Sequence, residues 1–333
     1  MKFDVIITTY NREESLEKLV NQILNCKLLP ENIIVVDSSD KINESIQKIS
    51  KVKYIRSSHG NQPYQRYLGY LVAESDILVF LDDDMRVVEN NCFNVIIEEF
   101  NKSDVVGANI NFFHENYFLH NCLPKSKFKN KNNFFYNFIR FLIGNRNVEE
   151  GKVWLVGKRG KIINKREVEY FSGGSFAVRK KYLFKNFNFR LFDIFEKKLG
   201  MGEDTIIGYT LSKFGKIRFV PKKLFYHEDT YKSNYSDDFI SYAKRVAYSR
   251  LFLSYEYIRI NKGSYLIAYI HYNWYILWKI ILLFLNFRKS ENRKLSYGYL
   301  IGWYKAIKDN KFLKTIDNGE FWKKEAEKDL KCM

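Results

Sequence analysis

Ile77-Leu78-Val79-Phe80-Leu81-Asp82-Asp83-Asp84 is the stretch on which the reading of this chain turns. An apolar run of this length, bounded by polar residues, reads as a buried strand. Three consecutive carboxylates close it, and like charges held so near repel one another unless a cation sits among them. Ligands that are all oxygen favour hard ions such as Mg²⁺ or Mn²⁺, which in turn hold phosphates. In an open α/β sheet, ligands bind at the carboxyl ends of the strands, where this triple falls. Taken alone, the triple reads equally well as a solvated acidic turn.

The residues before it alternate strand and helix patterns. Val5-Ile6-Ile7 is a short buried strand, and Arg12 to Leu24 carries Leu16, Leu19, Val20, Ile23 and Leu24 at helical spacing. Ile33 to Val36 is a second strand ending at Asp37. Ile42 to Ile49 reads as a short helix, Val52 to Ile55 as a third strand, and Tyr64 to Ala73 as a helix leading into Ile77. Strands alternating with helices imply parallel pairing and right-handed crossovers.

Beyond the triple the character changes. Residues 1–110 carry 12 Lys and Arg against 17 Asp and Glu, whereas the remainder carries 43 against 21. An acidic half suited to a cation thus joins a basic half suited to an anionic partner. Residues 120–168 are basic and rich in Asn and Phe; their centre, Phe134 to Ile143, reads either as a surface amphipathic helix or as a core helix. Phe171 to Val178 reads as a strand containing Gly173-Gly174. Met201 to Phe214 is a loop entering a helix, and Ile217 to Val220 a strand stopped by Pro221. From Asp237 onward the pattern is helical, and Tyr265 to Phe287 is its most apolar part. That part is nearly long enough to span a bilayer, but contains Lys279 and is flanked by basic residues; it reads first as a helix lying in the membrane interface, with a spanning helix and an ordinary helical subdomain as the alternatives.

Taken together, the segments from Val5 to about His227 resemble the family 2 inverting glycosyltransferases, which have the GT-A fold. The resemblance implies a Rossmann-like, mostly parallel central sheet flanked by helices, here with a helical, basic C-terminal extension. Residues 1–110 would be the nucleotide-sugar-binding half, 111–230 the acceptor-binding and catalytic half, and 231–333 a membrane-associating region. Ile6-Ile7-Thr8-Thr9-Tyr10-Asn11-Arg12 is similar to the family's first strand and nucleotide loop, where Thr8 and Tyr10 would contact uracil and ribose and Arg12 would join the donor site. Val35-Val36-Asp37-Ser38-Ser39 resembles the second-strand motif, in which Asp37 would recognise the base; many members carry a second acid where this chain has Ser38. Gly60 to Gly69 resembles the segment whose Arg66 approaches the diphosphate, with Tyr67 replacing the usual Asn. Asp82-Asp83-Asp84 corresponds to the DXD motif. By this resemblance Asp84 ligates the metal, and Asp82 or Asp83 holds the ribose or the sugar.

The second half completes the likeness. Ser172-Gly173-Gly174-Ser175 looks like the acceptor-side strand, where Gly173 and Gly174, with Trp154, are the candidate acceptor-binding residues; glycine, lacking Cβ, lets a sugar approach the backbone. Gly202-Glu203-Asp204 resembles the Glu-Asp motif, which makes Asp204 the general base with Glu203 beside it. His227 matches a histidine that completes the metal shell in some members. The implied activity is metal-dependent, inverting transfer of a sugar from a nucleotide-sugar, read as a UDP-sugar, to a hydroxyl of a glycan or lipid-linked glycan. Mn²⁺ or Mg²⁺ is the implied cofactor, and surface polysaccharide or glycolipid synthesis the implied setting. A polyprenyl-phosphate hexosyltransferase remains the alternative, because it shares the donor half.

Other classes fit poorly. A nucleotidyltransferase needs a glycine-rich phosphate loop near residue 10, where this chain has Thr-Thr-Tyr-Asn. An aspartyl phosphatase needs DxDx[TV], which Asp82 to Arg86 fails to supply. A non-enzymatic basic binding protein would leave both acidic motifs without a role, and neither zinc-finger spacing nor an aromatic RNA-binding strand is present, so nucleic acid is not an expected partner. The four cysteines form no CxxC pair, which points to a reducing compartment. Met1 runs directly into the first strand and leaves no room for a signal peptide. The expected location is cytoplasmic, peripheral on the anionic inner face of the cell membrane.

Overall fold

The computed structural model describes residues 1–114, 148–228, 239–285 and 288–331. The Phe134 to Ile143 segment, and the basic run from Lys125 to Arg146 around it, lie outside the described residues.

Strands β1 (Phe3–Thr9), β2 (Ile33–Asp37), β3 (Val52–Arg56) and β4 (Ile77–Asp82) pair in parallel in the order β3-β2-β1-β4. Helices α1 (Glu13–Leu24), α2 (Glu44–Gln47) and α3 (Gln62–Val72) lie in the connections that parallel pairing requires. Side chains alternate between two cores. Val5, Ile7, Ile33, Val35, Ile77 and Val79 meet α1 on one face, and Ile6, Ile34, Val36, Leu78 and Phe80 meet α3 on the other. Burial on both faces explains why these strands read as continuous apolar runs. The short helix expected over Ile42 to Ile49 contracts to α2, whose start is fixed by the Asn43 side chain accepting from Ile46 N at 3.0 Å.

The sheet continues through β5 (Met85–Val87), β6 (Val105–His114), β9 (Glu167–Val168), β10 (Ser175–Arg179) and β11 (Lys216–His227), while β7 (Val153–Trp154) and β8 (Lys158–Arg159) form a separate hairpin. Between them lie α4 (Cys92–Glu98), α5 (Arg190–Glu196) and α6 (Glu203–Leu211). Strand β10 runs antiparallel between β4 and β6, and β11 runs parallel to β6 and antiparallel to β5.

Two strand limits differ from the sequence reading. Strand β10 begins only at Ser175, because Gly173 and Gly174 have φ of +92° and +71°, outside extended conformation. Strand β11 does not stop at Pro221 but runs on to His227, with register shifts between Val220 and Lys223. Proline cannot donate to the ladder, and the chain absorbs this as a bulge instead of ending the strand.

The C-terminal region is helical, with α7 (Phe239–Asn261), α8 (Tyr265–Leu285), α9 (Ser290–Lys308), α10 (Asn310–Lys314) and α11 (Glu320–Lys331). Helix α11 returns to the first half. Trp322 is buried against His59, Tyr64 and Phe192, and Asp329 Oδ2 accepts from Tyr64 Oη at 2.9 Å and Ser58 N at 3.1 Å. The last helix thereby braces the start of α3.

Candidate active site

The acidic turn lies where β4 ends and β5 begins. Its position is set by pairing on both sides. Asp82 N donates to Gly174 O at 2.9 Å, and Met85 pairs with His227 across the β5–β11 ladder. That register brings His227 Nε2 to 3.4 Å from Asp84 Oδ1, while Glu228 N donates to the Asp84 carbonyl at 2.9 Å. The bulge at Pro221 is what lets β11 reach this point.

Asp83 faces back into the protein. Its carboxylate accepts from Thr9 Oγ1 and from Arg12, each at 2.8 Å, and Arg12 also reaches Asp84 Oδ2 at 2.6 Å. Burial pushes Asp83 up to about 6 against the pull of Arg12. Asp82 is likewise pushed up to about 6, again chiefly by burial. Its Oδ1 accepts from Gln62 Nε2 at 2.9 Å and Arg66 at 3.0 Å.

Arg66 is the hub of the site. It is 3% exposed, lies 5.2 Å from the Phe176 ring centroid, and bonds Asp82 with one amino group and Asp204 with the other at 2.9 Å. Glu203 Oε1 is 3.4 Å from the second group. Burial alone would lower the guanidinium's proton affinity, but Asp204, Asp82 and Glu203 together raise it. One fixed cation therefore joins the acidic turn to the start of α6. Gly202, with φ +83°, forms the N-cap of that helix, whose dipole favours the two acids in its first turn. The acids differ. Glu203 is buried and pushed up to about 8 by burial and by Asp204. The Asp204 side chain is more open, at 15% exposed.

The glycine pair serves this junction. A Cβ on Gly173 would stand 2.9 Å from Asp204 Oδ2, and one on Gly174 would press on Met85 Sδ at 3.3 Å and Phe112 at 3.4 Å. The Asp204 carboxylate thus lies against Gly173.

Two adjoining cavities of about 220 and 270 Å³ meet at Thr9. The first is lined by Thr8, Tyr10, Arg12, Gln62, Gln65 and the acidic turn, and the second by Asn11, Asp37, Ser39 and Asn43 among others. Asp37 is 1% exposed, and its carboxylate accepts from Tyr54 Oη, Arg56 at 3.1 Å and Ser39 N at 2.7 Å. It shapes the second cavity through those partners. Trp154 lies on β7, its ring centroid 5.8 Å from that of Tyr257. Gln62 and Gln65 do not stand out in the sequence. Gln65 Nε2 ties Thr9 O and Val36 O, both at 3.0 Å, and so fixes the ends of β1 and β2. The signal for them is spacing, since Gln62, Gln65 and Arg66 fall on one face of a helix.

By the family resemblance the acidic turn would hold a divalent cation beside Arg12, which already pairs with Asp83 and Asp84. Among the described residues no three His, Cys, Asp or Glu side chains form a ready-made metal site. Asp84 Oδ1, however, is buried without a hydrogen-bond partner and faces the His227 ring. A buried carboxylate oxygen left in that state fits a cation bound jointly with a second ligand.

With this geometry in view, comparison with known proteins defines the class. A family profile described as Glycosyl transferase family 2 matches residues 4–185, more than half of the chain. The chain belongs to that family and is a glycosyltransferase. It is similar to an uncharacterized glycosyltransferase of Nostoc sp., with 31% identity over 115 residues, covering 32% of this chain and 35% of that protein. The match thus spans about a third of that relative's length. Among solved structures, the mannosyltransferase PcManGT from Pyrobaculum calidifontis, in complex with GDP-Man and Mn²⁺, is similar over 92% of this chain and 87% of that one, at 14% identity and TM-score 0.51. S. aureus TarS 1-349 is similar over 92% and 91%, at 16% identity and TM-score 0.45. The likeness to the mannosyltransferase is one of fold.

Proposed function

We propose that the enzyme transfers a sugar from a nucleoside-diphosphate sugar to a hydroxyl of a glycan or lipid-linked glycan in a single inverting displacement. The observation that carries this reading is the Asp82–Arg66–Asp204 bridge. It holds a donor-side acid and a partly open carboxylate on opposite sides of one guanidinium, so the two ends of a displacement have fixed places. The diphosphate lies in the cavity lined by Thr8, Tyr10 and the acidic turn, and the base of the nucleotide in the cavity beside Asp37.

Asp84 and His227 are the residues that would hold Mn²⁺ or Mg²⁺, and the bound ion would neutralise charge on the leaving diphosphate. The chain's own groups do the rest. Asp204 takes the proton from the acceptor hydroxyl as its oxygen bonds to the anomeric carbon and the bond to the diphosphate breaks on the opposite face. Glu203, whose proton affinity burial raises, lies beside Arg66 and leaves the base role to the more open Asp204. The paired carboxylates hold the Arg66 charge beside the acidic turn. Fixed charge in a buried site stabilises developing charge without reorganisation.

The mannosyltransferase similar in fold is in complex with GDP-mannose and Mn²⁺, whereas the family resemblance implies a UDP-sugar, with Ser38 in place of the second acid that many members carry. Thermal shift with UDP, GDP and dTDP, each with and without Mn²⁺, tests the assignment. A ligand at 100 times its dissociation constant stabilises the native state by about 2.7 kcal/mol. A metal-dependent shift with one nucleotide supports the reading and names the donor class. No shift with any of them in folded protein contradicts it.

A further inference from the structure

Helix α8 wears its apolar side outward. Its 21 residues include a window of mean hydropathy 1.3, of which only 28% is buried. Ala268, Tyr272, Ile276 and Leu283 form the buried side, and the Tyr272 hydroxyl donates to Ala247 O of α7 at 3.0 Å. The opposite stripe, at helical spacing, is Ile267, Ile270, Trp274, Ile281 and Leu285, exposed by 51, 46, 49, 38 and 73%. An ordinary surface helix places charged or polar residues on this side.

The polar groups of α8 lie off that stripe. Asn273 accepts from Trp303 Nε1 of α9 at 2.7 Å, and Lys279 sits 5.8 Å from the Tyr275 ring centroid. The face continues onto α9 through exposed Tyr297, Leu300 and Tyr304. Exposed cations stand at both ends, with Lys262 before α8 and Arg288, Lys289 and Lys294 after it.

We propose that the α8–α9 face docks on an anionic lipid surface, with α8 lying in the interface and not crossing it. A contiguous exposed apolar face marks an interaction site. Aromatic residues along it and cations at its rim match the headgroup boundary of an anionic bilayer in both polarity and charge. A second protein surface would have no need of that arrangement of cations at the two ends. Crossing is disfavoured because one side of α8 is packed on α7 and α9 of the catalytic body, leaving a single face for lipid. The reading is independent of the glycosyl-transfer chemistry.

Sedimentation of the full chain with vesicles tests it. Vesicles of phosphatidylcholine mixed with phosphatidylglycerol should carry the protein down, phosphatidylcholine alone should carry much less, and added salt should weaken the binding. Ile270→Glu combined with Trp274→Glu should reduce binding by about tenfold or more, while the variant's own melting temperature in lipid-free solution stays near that of the parent and shows that it is folded. Equal binding by the variant, or no binding of the parent to either vesicle, would overturn the proposal. Retention after an alkaline carbonate wash would overturn it in favour of a spanning helix. A dimer in lipid-free solution that the same substitutions dissociate would overturn it in favour of self-association.

Discussion

Arg66, in the middle of α3, donates to Asp204 at the start of α6 over 2.9 Å, although 138 residues separate them in sequence. The same guanidinium holds Asp82 at 3.0 Å, so the two acidic motifs of the chain share one cation. Removing that cation leaves the partly buried carboxylates of Asp82 and Asp204 without their shared partner. Arg66→Ala should therefore destabilise the protein by about 3–5 kcal/mol, the usual cost of breaking a buried ion pair from one side. Denaturant unfolding measures it. Arg66→Lys should recover only part of the loss, because a point-like ammonium does not reproduce the planar fork that reaches both acids.

Glu203 makes a prediction about pH. Its carboxyl is pushed up to about 8 in the folded protein, from an ordinary glutamate value of 4.5. Between those values the folded state binds the extra proton, so the stability linked to this group is full below pH 4.5 and is lost as pH rises through 8. Glu203→Gln imitates the protonated acid. It should fold normally at neutral pH and flatten this part of the dependence of melting temperature on pH. An unchanged pH profile would show that the proton sits elsewhere.

Gly173 is constrained twice, by φ of +92° and by the 2.9 Å that would separate an added Cβ from Asp204 Oδ2. Gly173→Ala should cost about 1–2 kcal/mol through the backbone alone. Its larger effect should be on turnover, which is sensitive by roughly a hundredfold to an ångström of misplacement. Melting curves and initial rates on one preparation separate the two effects.

His227 is brought to Asp84 by strand register. His227→Ala should leave nucleotide-independent stability near the parent value and shrink the Mn²⁺-dependent part of the nucleotide-induced melting shift. A shift that keeps its full metal dependence would place the second metal ligand elsewhere.

The parallel donor half is legible in the sequence because its strands are buried on both faces, and the acidic turn stands out because it closes one of them. The helix carrying Glu203 and Asp204 is legible as well. What the sequence hides is long-range. No local pattern shows that Arg66 spends its charge on Asp82 and Asp204, or that Gly173 makes room for Asp204. The second depends on β10 running antiparallel beside β4, which sets Gly173 next to the end of that strand. Pro221 misleads for a different reason. Proline forbids a ladder hydrogen bond but permits a bulge, and propensity alone does not say which the chain adopts.

The most direct test of the account is Asp204→Asn, assayed for nucleotide binding and for sugar transfer on the same preparation. Asparagine keeps the shape but cannot accept the proton. The account predicts that nucleotide binding is kept and that transfer falls by about 10²–10⁴-fold, the usual contribution of a general base. Transfer near the parent rate would show that another group takes the acceptor's proton.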